Sequence, residues 1–300
     1  MARRFHTLDV FTDVALAGNP LAVVLDADGL DDARMQSIAA EFNLSETVFV
    51  FEPRNPISTA RVRIFTPARE LPFAGHPTVG TAALLAHLRA PDLLAAQDLR
   101  IVLEEAVGDV VCVVRHRKGQ ALAAYFDLPK LPERLADGPP SNAEIAARTG
   151  LTPDDIGFDA HQPRLFSAGV PYLFAPVRSL EAIGRADPRL TLWGADGAPA
   201  VYLYTRETAH PGSAFHARMF ADGVGVSEDP ATGSAAAAFA GVALEFDRLA
   251  DGEHLMTIEQ GIEMGRPRYI GLGLTVEGRA LRAATIGGST VIVSSGSLDL

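Results

Sequence analysis

The apolar positions of the chain follow two periods, and the change from one to the other marks its elements. Alternation with period two runs through residues 5–11, 58–65 and 121–127, and short β-branched or aromatic runs fill 21–25, 47–51, 99–103 and 110–115. These segments predict strands. The second half repeats the pattern at 165–167, 171–176, 201–205, 214–220, 256–260, 268–276, 279–285 and 289–293. Between them lie helical stretches. Asp31 and Asp32 open one with Met35, Ile38, Ala39 and Phe42 on a single face. Ser141 with Glu144 three residues on has the spacing of a capping box and predicts a helix over 142–149. A short helix covers 179–185.

Two helices differ from the rest. The stretches 77–88 and 230–246 are apolar or small on nearly every side. A helix with that pattern is enclosed rather than laid on a surface. Enclosing it takes a sheet that curls around it, or two layers that sandwich it. Several strands separate successive helices, so the class is α+β and not a doubly wound alternation. The Pro- and Gly-containing breaks at 128–132 and 137–140 put the domain crossing there.

Both enclosed helices begin with the same short motif. Gly75-His76-Pro77-Thr78-Val79-Gly80-Thr81-Ala82 superimposes on Glu228-Asp229-Pro230-Ala231-Thr232-Gly233-Ser234-Ala235, with His76 over Asp229 and Gly80 over Gly233. Arg63-Ile64-Phe65 precedes the first copy and Arg218-Met219-Phe220 the second. The first N–H groups of a helix have no intrahelical partner and sit at the positive end of its dipole, so such an end accepts an anion. Two of them, each with an ionisable residue, predict a pocket for a small carboxylate between two half-molecules. Each residue also has a plainer use. His76 can cap its helix, Asp229 can be an N-cap, and Ser234 can bond a carbonyl one turn back. Asn19, within Gly18-Asn19-Pro20, carries turn chemistry, with a reach into the cleft as the alternative. Arg63 and Arg218 read as strand-face charges paired with Glu70 and Asp222.

Composition narrows the partners. Three hundred residues favour two cores over one. A formal net charge of −11 works against nucleic acid and anionic membranes. The apolar fraction of 48% and charged fraction of 21% belong to a globular protein. No apolar run reaches the length of a membrane span and the first residues lack the core of a signal peptide, so the cytoplasm is the default location. The single cysteine, Cys112, lies in an apolar strand, and no Cys/His zinc spacing exists. Neither a dinucleotide glycine fingerprint nor a P-loop occurs.

Four separated motifs carry a resemblance. Asn43-Leu44-Ser45-Glu46-Thr47, Phe73-Ala74-Gly75-His76-Pro77-Thr78, the Glu228–Ala235 motif and Gln260-Gly261-Ile262-Glu263-Met264-Gly265-Arg266-Pro267 resemble, in this order, the phenazine-biosynthesis PhzF-like isomerase family. The likeness runs along essentially the whole chain. It implies the diaminopimelate-epimerase-like α+β fold, with two pseudo-symmetric domains, each a curved mixed or antiparallel sheet wrapped around its central helix. It also implies a last strand that returns to the first domain, so that the N-terminal domain is residues 1–127 plus about 286–300 and the C-terminal domain 128–285, a homodimer, and catalysis without cofactor or metal. It also implies the roles. Glu46 would be general base and then acid, moving a proton between carbons of a carboxylated ring such as a dihydro-3-hydroxyanthranilate. His76 and Asp229 would bind the substrate's polar groups and assist. Gly75, Gly233 and Ser234 would hold its carboxylate. The epimerase relatives use two facing cysteines, but Ala74 and Asp229 stand near those places here, so a two-cysteine racemisation is not open to this chain. A one-base epimerase or racemase and a non-catalytic carboxylate-binding protein on the same scaffold are the alternatives. Loops 66–72, 206–213 and 221–227 are expected to set specificity.

Overall fold

A computed structural model describes residues 2–187, 199–222 and 226–299. In chain order the elements are β1 (Ala2–Val10), β2 (Asn19–Val24), α1 (Asp32–Phe42), β3 (Glu46–Phe51), β4 (Ala60–Phe65), β5 (Glu70–Leu71), α2 (Gly75–Arg89) and α3 (Pro91–Ala96). There follow β6 (Leu99–Glu105), β7 (Gly108–Arg115), β8 (Leu122–Asp127), β9 (Glu133–Arg134), α4 (Asn142–Thr149), β10 (Arg164–Ser167), β11 (Pro171–Pro176) and α5 (Leu180–Arg185). The chain closes with β12 (Ala200–Thr205), β13 (Phe215–Ala221), β14 (Val226–Asp229), α6 (Gly233–Phe246), β15 (Gly252–Gln260), β16 (Arg268–Glu277) and β17 (Ala280–Asp299). Two compact units result, Met1–Asp127 with Gly287–Leu300, and Leu128–Ile286.

In the first unit the strands form a closed ring. β1 pairs with β2, β2 with β3, β3 with β4, β4 with β6, β6 with β7, β7 with β8, β8 with β17, and β17 with β1. Closure removes the unpaired edges that an open sheet would leave. Helix α2 packs against β1, β2, β3, β6, β7 and β8, and every residue from Gly75 to Ala86 is buried. Small residues make this possible. A Cβ on Gly80 would stand 2.6 Å from Leu21 Cδ2 and 2.8 Å from Val10 Cγ2.

The parallel pairing of β2 and β3 needs a crossover, which α1 supplies. Asp31 caps it by accepting from the Arg34 N–H at 2.8 Å, and Asn43 ends it in the left-handed region at φ 50°. Met35, Ile38 and Ala39 face inward onto Phe49, Phe51 and Phe65. The register sets Leu21 opposite Glu46, so the entrances of β2 and β3 lie side by side. That places Asn19 next to Ser45.

The second unit repeats the order of pairings. β10 and β11 are antiparallel, β11 and β12 parallel, β12 and β13 antiparallel, β13 and β15 parallel, β15 and β16 antiparallel. In the first unit the same alternation runs from β1 to β7. Helix α6 packs on β9, β10, β11 and β16. Its Phe239 sits among the rings of Phe174, Tyr202, Tyr204 and Phe215 at centroid distances of 5.9, 6.2, 4.9 and 4.8 Å. Ser141 and Glu144 form the expected capping box of α4.

Some elements depart from the pattern. The strands expected at 279–285 and 289–293 are one continuous β17, because Gly287-Gly288 is no break. Gly287 is small because its neighbour is close: a Cβ there would overlap the Ala124 carbonyl oxygen and the Tyr125 ring. The second enclosed helix starts at Gly233 and not at Pro230. Residues 226–229 instead extend the sheet as β14. Arg63 bonds Glu70 as expected, and Asp32 as well. Arg218 pairs with Glu228 through two bonds of 2.8 Å, while Asp222 accepts from Ser227.

One ionic relay ties down loops of the second unit. His216 Nδ1 lies 2.9 Å from Glu259 and its Nε2 2.9 Å from Glu263. Glu259 also accepts the backbone N–H groups of Ala209 and His210, so loop 206–213 hangs on it. Burial alone would lower the His216 pKa, but its bonds to the two glutamates outweigh that and raise it. Glu263, despite burial, is lowered by His216.

Two expectations follow. Gly287→Ala destabilises by about 1–3 kcal/mol through overpacking, read as a lower denaturation midpoint at unchanged slope. An unchanged midpoint would show that the strand has room to yield. For the relay, a raised imidazole gives stability that is complete below 6.5 and lost as pH rises through its folded value. The lowered Glu263 gives stability present above 4.5 and lost as pH falls through its folded value. The midpoint is therefore expected to fall from pH 6 to pH 9 in the native chain, and by less in His216→Gln. Parallel curves for the two would refute the relay's contribution.

Candidate active site

In the first unit the site is built at the start of α2. Its N-cap residue, Ala74, has no side-chain oxygen to offer the first turn. His76 is the second residue of the helix and is 5% exposed. Its Nε2 lies 3.1 Å from Glu46 Oε2 at the entrance of β3. Glu46 keeps 17% of its side chain accessible, so one side of the carboxylate can still reach a ligand. The other ring nitrogen, Nδ1, lies 3.2 Å from Asn19 Nδ2. Ser45 Oγ donates in turn to Asn19 Oδ1 at 3.1 Å. Gly75 is buried as the first residue of the helix.

A second carboxyl supports this helix from inside. Thr78 Oγ1 lies 2.8 Å from the Ala74 carbonyl and 2.7 Å from Glu105 Oε1. A hydroxyl has one proton to give, and burial pushes Glu105 up to about 8. The Thr78 hydroxyl thus ties the helix start to the end of β6.

The second unit presents its own group at the start of α6. Asp229 ends β14, and Thr232 Oγ1 donates to its Oδ2 at 2.7 Å. Burial raises the Asp229 pKa against the opposing bonds from Thr232 and Ala231 and the charge of Arg268. Gln260 organises the turn. Its Nε2 donates to the Asp229 carbonyl at 2.6 Å and to Thr232 Oγ1 at 3.1 Å. Its Oε1 accepts from the Thr232 N–H and from the Tyr202 hydroxyl, both at 3.3 Å. Gly233 opens α6, and Ser234 Oγ is 2.7 Å from the Tyr172 hydroxyl rather than on a backbone carbonyl. Burial pushes the Tyr172 phenol up to about 12, with the charge of Asp229 acting the same way.

Of the expected residues, Glu46, His76 and Gly75 thus gather at one helix start, and Asp229, Gly233 and Ser234 at the other. Asn19 is not a mere turn residue: it opens β2, is 1% exposed and holds His76. Ser45 and Gln260 lie within the resembling motifs without a role assigned to them there, and Tyr172 lies in none. Of the loops expected to set specificity, residues 223–225 lie outside the described residues. Cys112, in neither motif, is buried in β7 and its thiol pKa is pushed up by burial. Among the described residues no helix is long and apolar enough to cross a membrane, and no cluster of His, Cys, Asp or Glu is arranged to hold a metal ion.

With this geometry in place, known proteins can be compared. The family described as phenazine biosynthesis-like protein, PhzC-PhzF, matches residues 8–296. An uncharacterised isomerase of Mesorhizobium japonicum is 51% identical over 99% of this chain and 98% of its own. The trans-2,3-dihydro-3-hydroxyanthranilate isomerase of Pseudomonas fluorescens is 35% identical over 98% of each chain. A crystal structure of a PhzF-family phenazine biosynthesis protein from Bacillus anthracis superimposes with a TM-score of 0.85 over the whole of both chains at 25% identity.

Gln260→Leu keeps the apolar stem but removes the four bonds that Gln260 makes, three of them at the α6 start. Leaving buried partners unmet costs about 1–3 kcal/mol. Amide exchange at residues 232–236 is expected to accelerate and the unfolding midpoint to drop. Exchange as slow as in the native chain would show that Gln260 carries no part of the turn.

Proposed function

The chain belongs to the phenazine biosynthesis-like PhzC-PhzF family, and we propose that it moves a proton between two carbons of a small, carboxylated, unsaturated ring, with Glu46 as base and then acid. Membership makes the chain an isomerase. The scaffold of this reading is the diaminopimelate-epimerase-like α+β fold, each half a sheet around a central helix.

The observation that carries it is the Glu46–His76 contact of 3.1 Å on a carboxylate that remains partly accessible. A general base needs a fixed orientation and an open side toward the carbon it attacks. In the proposed step the Glu46 carboxylate removes a proton from a saturated ring carbon next to a double bond. The C–H electron pair enters the conjugated system, and Glu46 becomes the acid. A second carbon of that system then takes the proton back with the electrons of its double bond, and the carboxylate is restored. No atom is gained or lost.

The other residues serve the charge that develops. His76, 3.1 Å away, stands beside Glu46 and orients it. The half-buried Asp229, with its raised pKa, takes the polar substituent of the ring. The N–H groups at Gly75 and Gly233 and the Ser234 hydroxyl hold the carboxylate, and a fixed donor to a developing oxyanion contributes roughly 2.7–4 kcal/mol. The substrate proposed for the first trial is trans-2,3-dihydro-3-hydroxyanthranilate, the compound named for the Pseudomonas fluorescens relative.

The test is turnover of that compound followed by proton NMR in deuterated buffer. Glu46→Gln is nearly isosteric, so kcat is expected to fall by about 10²–10⁴-fold, the usual worth of a positioned acid/base, at an unchanged unfolding midpoint. A rate near that of the native chain would remove Glu46 from the role. Exchange at a stereocentre without a shifted double bond would instead favour the one-base epimerase. Binding without any exchange would leave a carboxylate carrier.

A further inference from the structure

We propose that Arg218 is a positioning residue for Asp229: it grips Glu228 on one face of β14 and so fixes the next side chain, Asp229, on the other face at the start of α6. This rests on the reading of Asp229 as the group that takes the polar substituent of the substrate.

β14 is four residues long, and its register on β13 shifts between Met219 and Ala221. So short a strand on an irregular ladder does not by itself fix where its side chains point. Arg218 supplies the constraint. A guanidinium only donates, so the direction of each bond is settled. Its Nε and Nη2 donate to the two oxygens of Glu228, both at 2.8 Å. Its Nη1 donates to the carbonyls of Ile183 and Ala186 at 3.1 and 2.7 Å, where α5 ends. A cation suits that end of a helix, the negative pole of its dipole. Only 6% of the Arg218 side chain and 11% of that of Glu228 are exposed. A further carboxylate, Glu263, stands 3.9 Å from Nε. The strand pairings put this clamp and Asp229 on opposite faces. Met219 lies opposite both Tyr202 and Asp229, and the Tyr202 ring packs near Phe239 of α6, so that row faces α6. Arg218 lies opposite Leu203, which packs with Ile183 and Phe220, so the other row faces α5.

The first unit has the same device. Arg63-Ile64-Phe65 superimposes on Arg218-Met219-Phe220, and Arg63 sends Nε and Nη2 to the two oxygens of Glu70 at 2.6 and 2.5 Å. Glu70 lies in β5, the short strand that precedes α2 as β14 precedes α6. Arg63 also reaches the crossover helix of its unit, through Asp32 of α1, as Arg218 reaches α5. In both units an arginine therefore ties the approach to the enclosed helix to the helix packed outside. Two parallel N–H bonds to one carboxylate fix geometry as well as energy. A buried ion pair adds little net stability, because desolvation offsets its attraction. What the fork holds is the direction of β14, and with it the direction of Asp229. Arg218 does not touch Asp229 and acts on it through Glu228.

Two variants test it. Arg218→Lys keeps the charge but cannot form the fork. Glu228→Ala removes the fork and leaves Arg218 on α5. Amide exchange is measured first, without substrate. Residues 228–232 are expected to exchange about 10-fold faster or more in both variants. In Glu228→Ala residues 180–186 are expected to stay as slow as in the native chain. Turnover of trans-2,3-dihydro-3-hydroxyanthranilate is then measured below the unfolding midpoint. Both variants are expected to lose about 10-fold or more in kcat/KM, most of it in KM, a loss that a displacement of about 1 Å suffices to cause. In an Asp229→Asn background neither is expected to lose more, because the effect of Arg218 passes through Asp229. Equal losses in both backgrounds would make Arg218 a brace of the fold alone and overturn the proposal. Native exchange and kinetics in Glu228→Ala would overturn it too, whatever Arg218→Lys does. If exchange quickens at 228–232 but Asp229→Asn turns over like the native chain, the role given to Asp229 fails and the clamp stands, so the two failures are told apart.

Discussion

The first unit depends on enclosing a helix whose first turn is polar. Burying α2 from Gly75 to Ala86 removes from water the side chains of Val79, Leu84 and Leu85, each worth roughly 1.5–3 kcal/mol. The same burial takes His76, Thr78 and Thr81 out of solvent. A buried polar group without a partner costs about as much as a buried aliphatic side chain contributes. The barrel can therefore close around this helix only where neighbouring strands bring partners to its start. Glu105 at the end of β6 meets Thr78 and Asn19 at the start of β2 meets one nitrogen of His76, while Glu46 at the start of β3 stands 3.1 Å from the other and Thr81 Oγ1 has no hydrogen-bond partner. The chemistry proposed for the site grows out of satisfying that buried turn.

The strand pairings explain why those partners converge. β2 and β3 are parallel with Leu21 opposite Glu46, so both enter the ring at the same end. Residues just before or at their first positions are then brought together although 26 residues separate Asn19 from Ser45. The second unit solves the same problem with one side chain. Gln260, ending β15, gives both its protons and accepts two others across the α6 start. A neutral amide serves here because it can meet donors and acceptors at once without adding charge beside Asp229.

Much of this was legible along the chain, and the reasons are local. The capping box at Ser141 and Glu144, the inward face of α1 and the all-round apolar helices are written in spacings of three and four residues. The family resemblance was carried by motifs that are contiguous. What escaped was set by distance. Asn19 carries turn chemistry in Gly18-Asn19-Pro20, and nothing nearby says that a histidine 57 residues on will lie against its amide. Gln260 heads the last of the resembling motifs and ends β15, but nothing contiguous says that its amide will close a turn 28 residues upstream. Gly287-Gly288 resembled a break because a close backbone approach and a turn ask for the same residue. Only the position of Ala124 and Tyr125 separates them.

The two motifs also show where superposition of sequence parts from equivalence of position. Laid over each other, His76 meets Asp229. In the folded chain His76 is inside the first turn of α2, whereas Asp229 ends a strand four residues before α6 begins. A side chain inside the first turn has its ring fixed by whatever the enclosing strands present, here an amide on one nitrogen and a carboxylate on the other. A side chain before the turn is free to be capped by the turn itself, as Asp229 is by Thr232. The pattern of strand pairings is repeated, but the group at each helix start is held by a different device. That difference lets one start hold an imidazole between an amide and a carboxylate, and the other a carboxyl whose pKa is raised by burial.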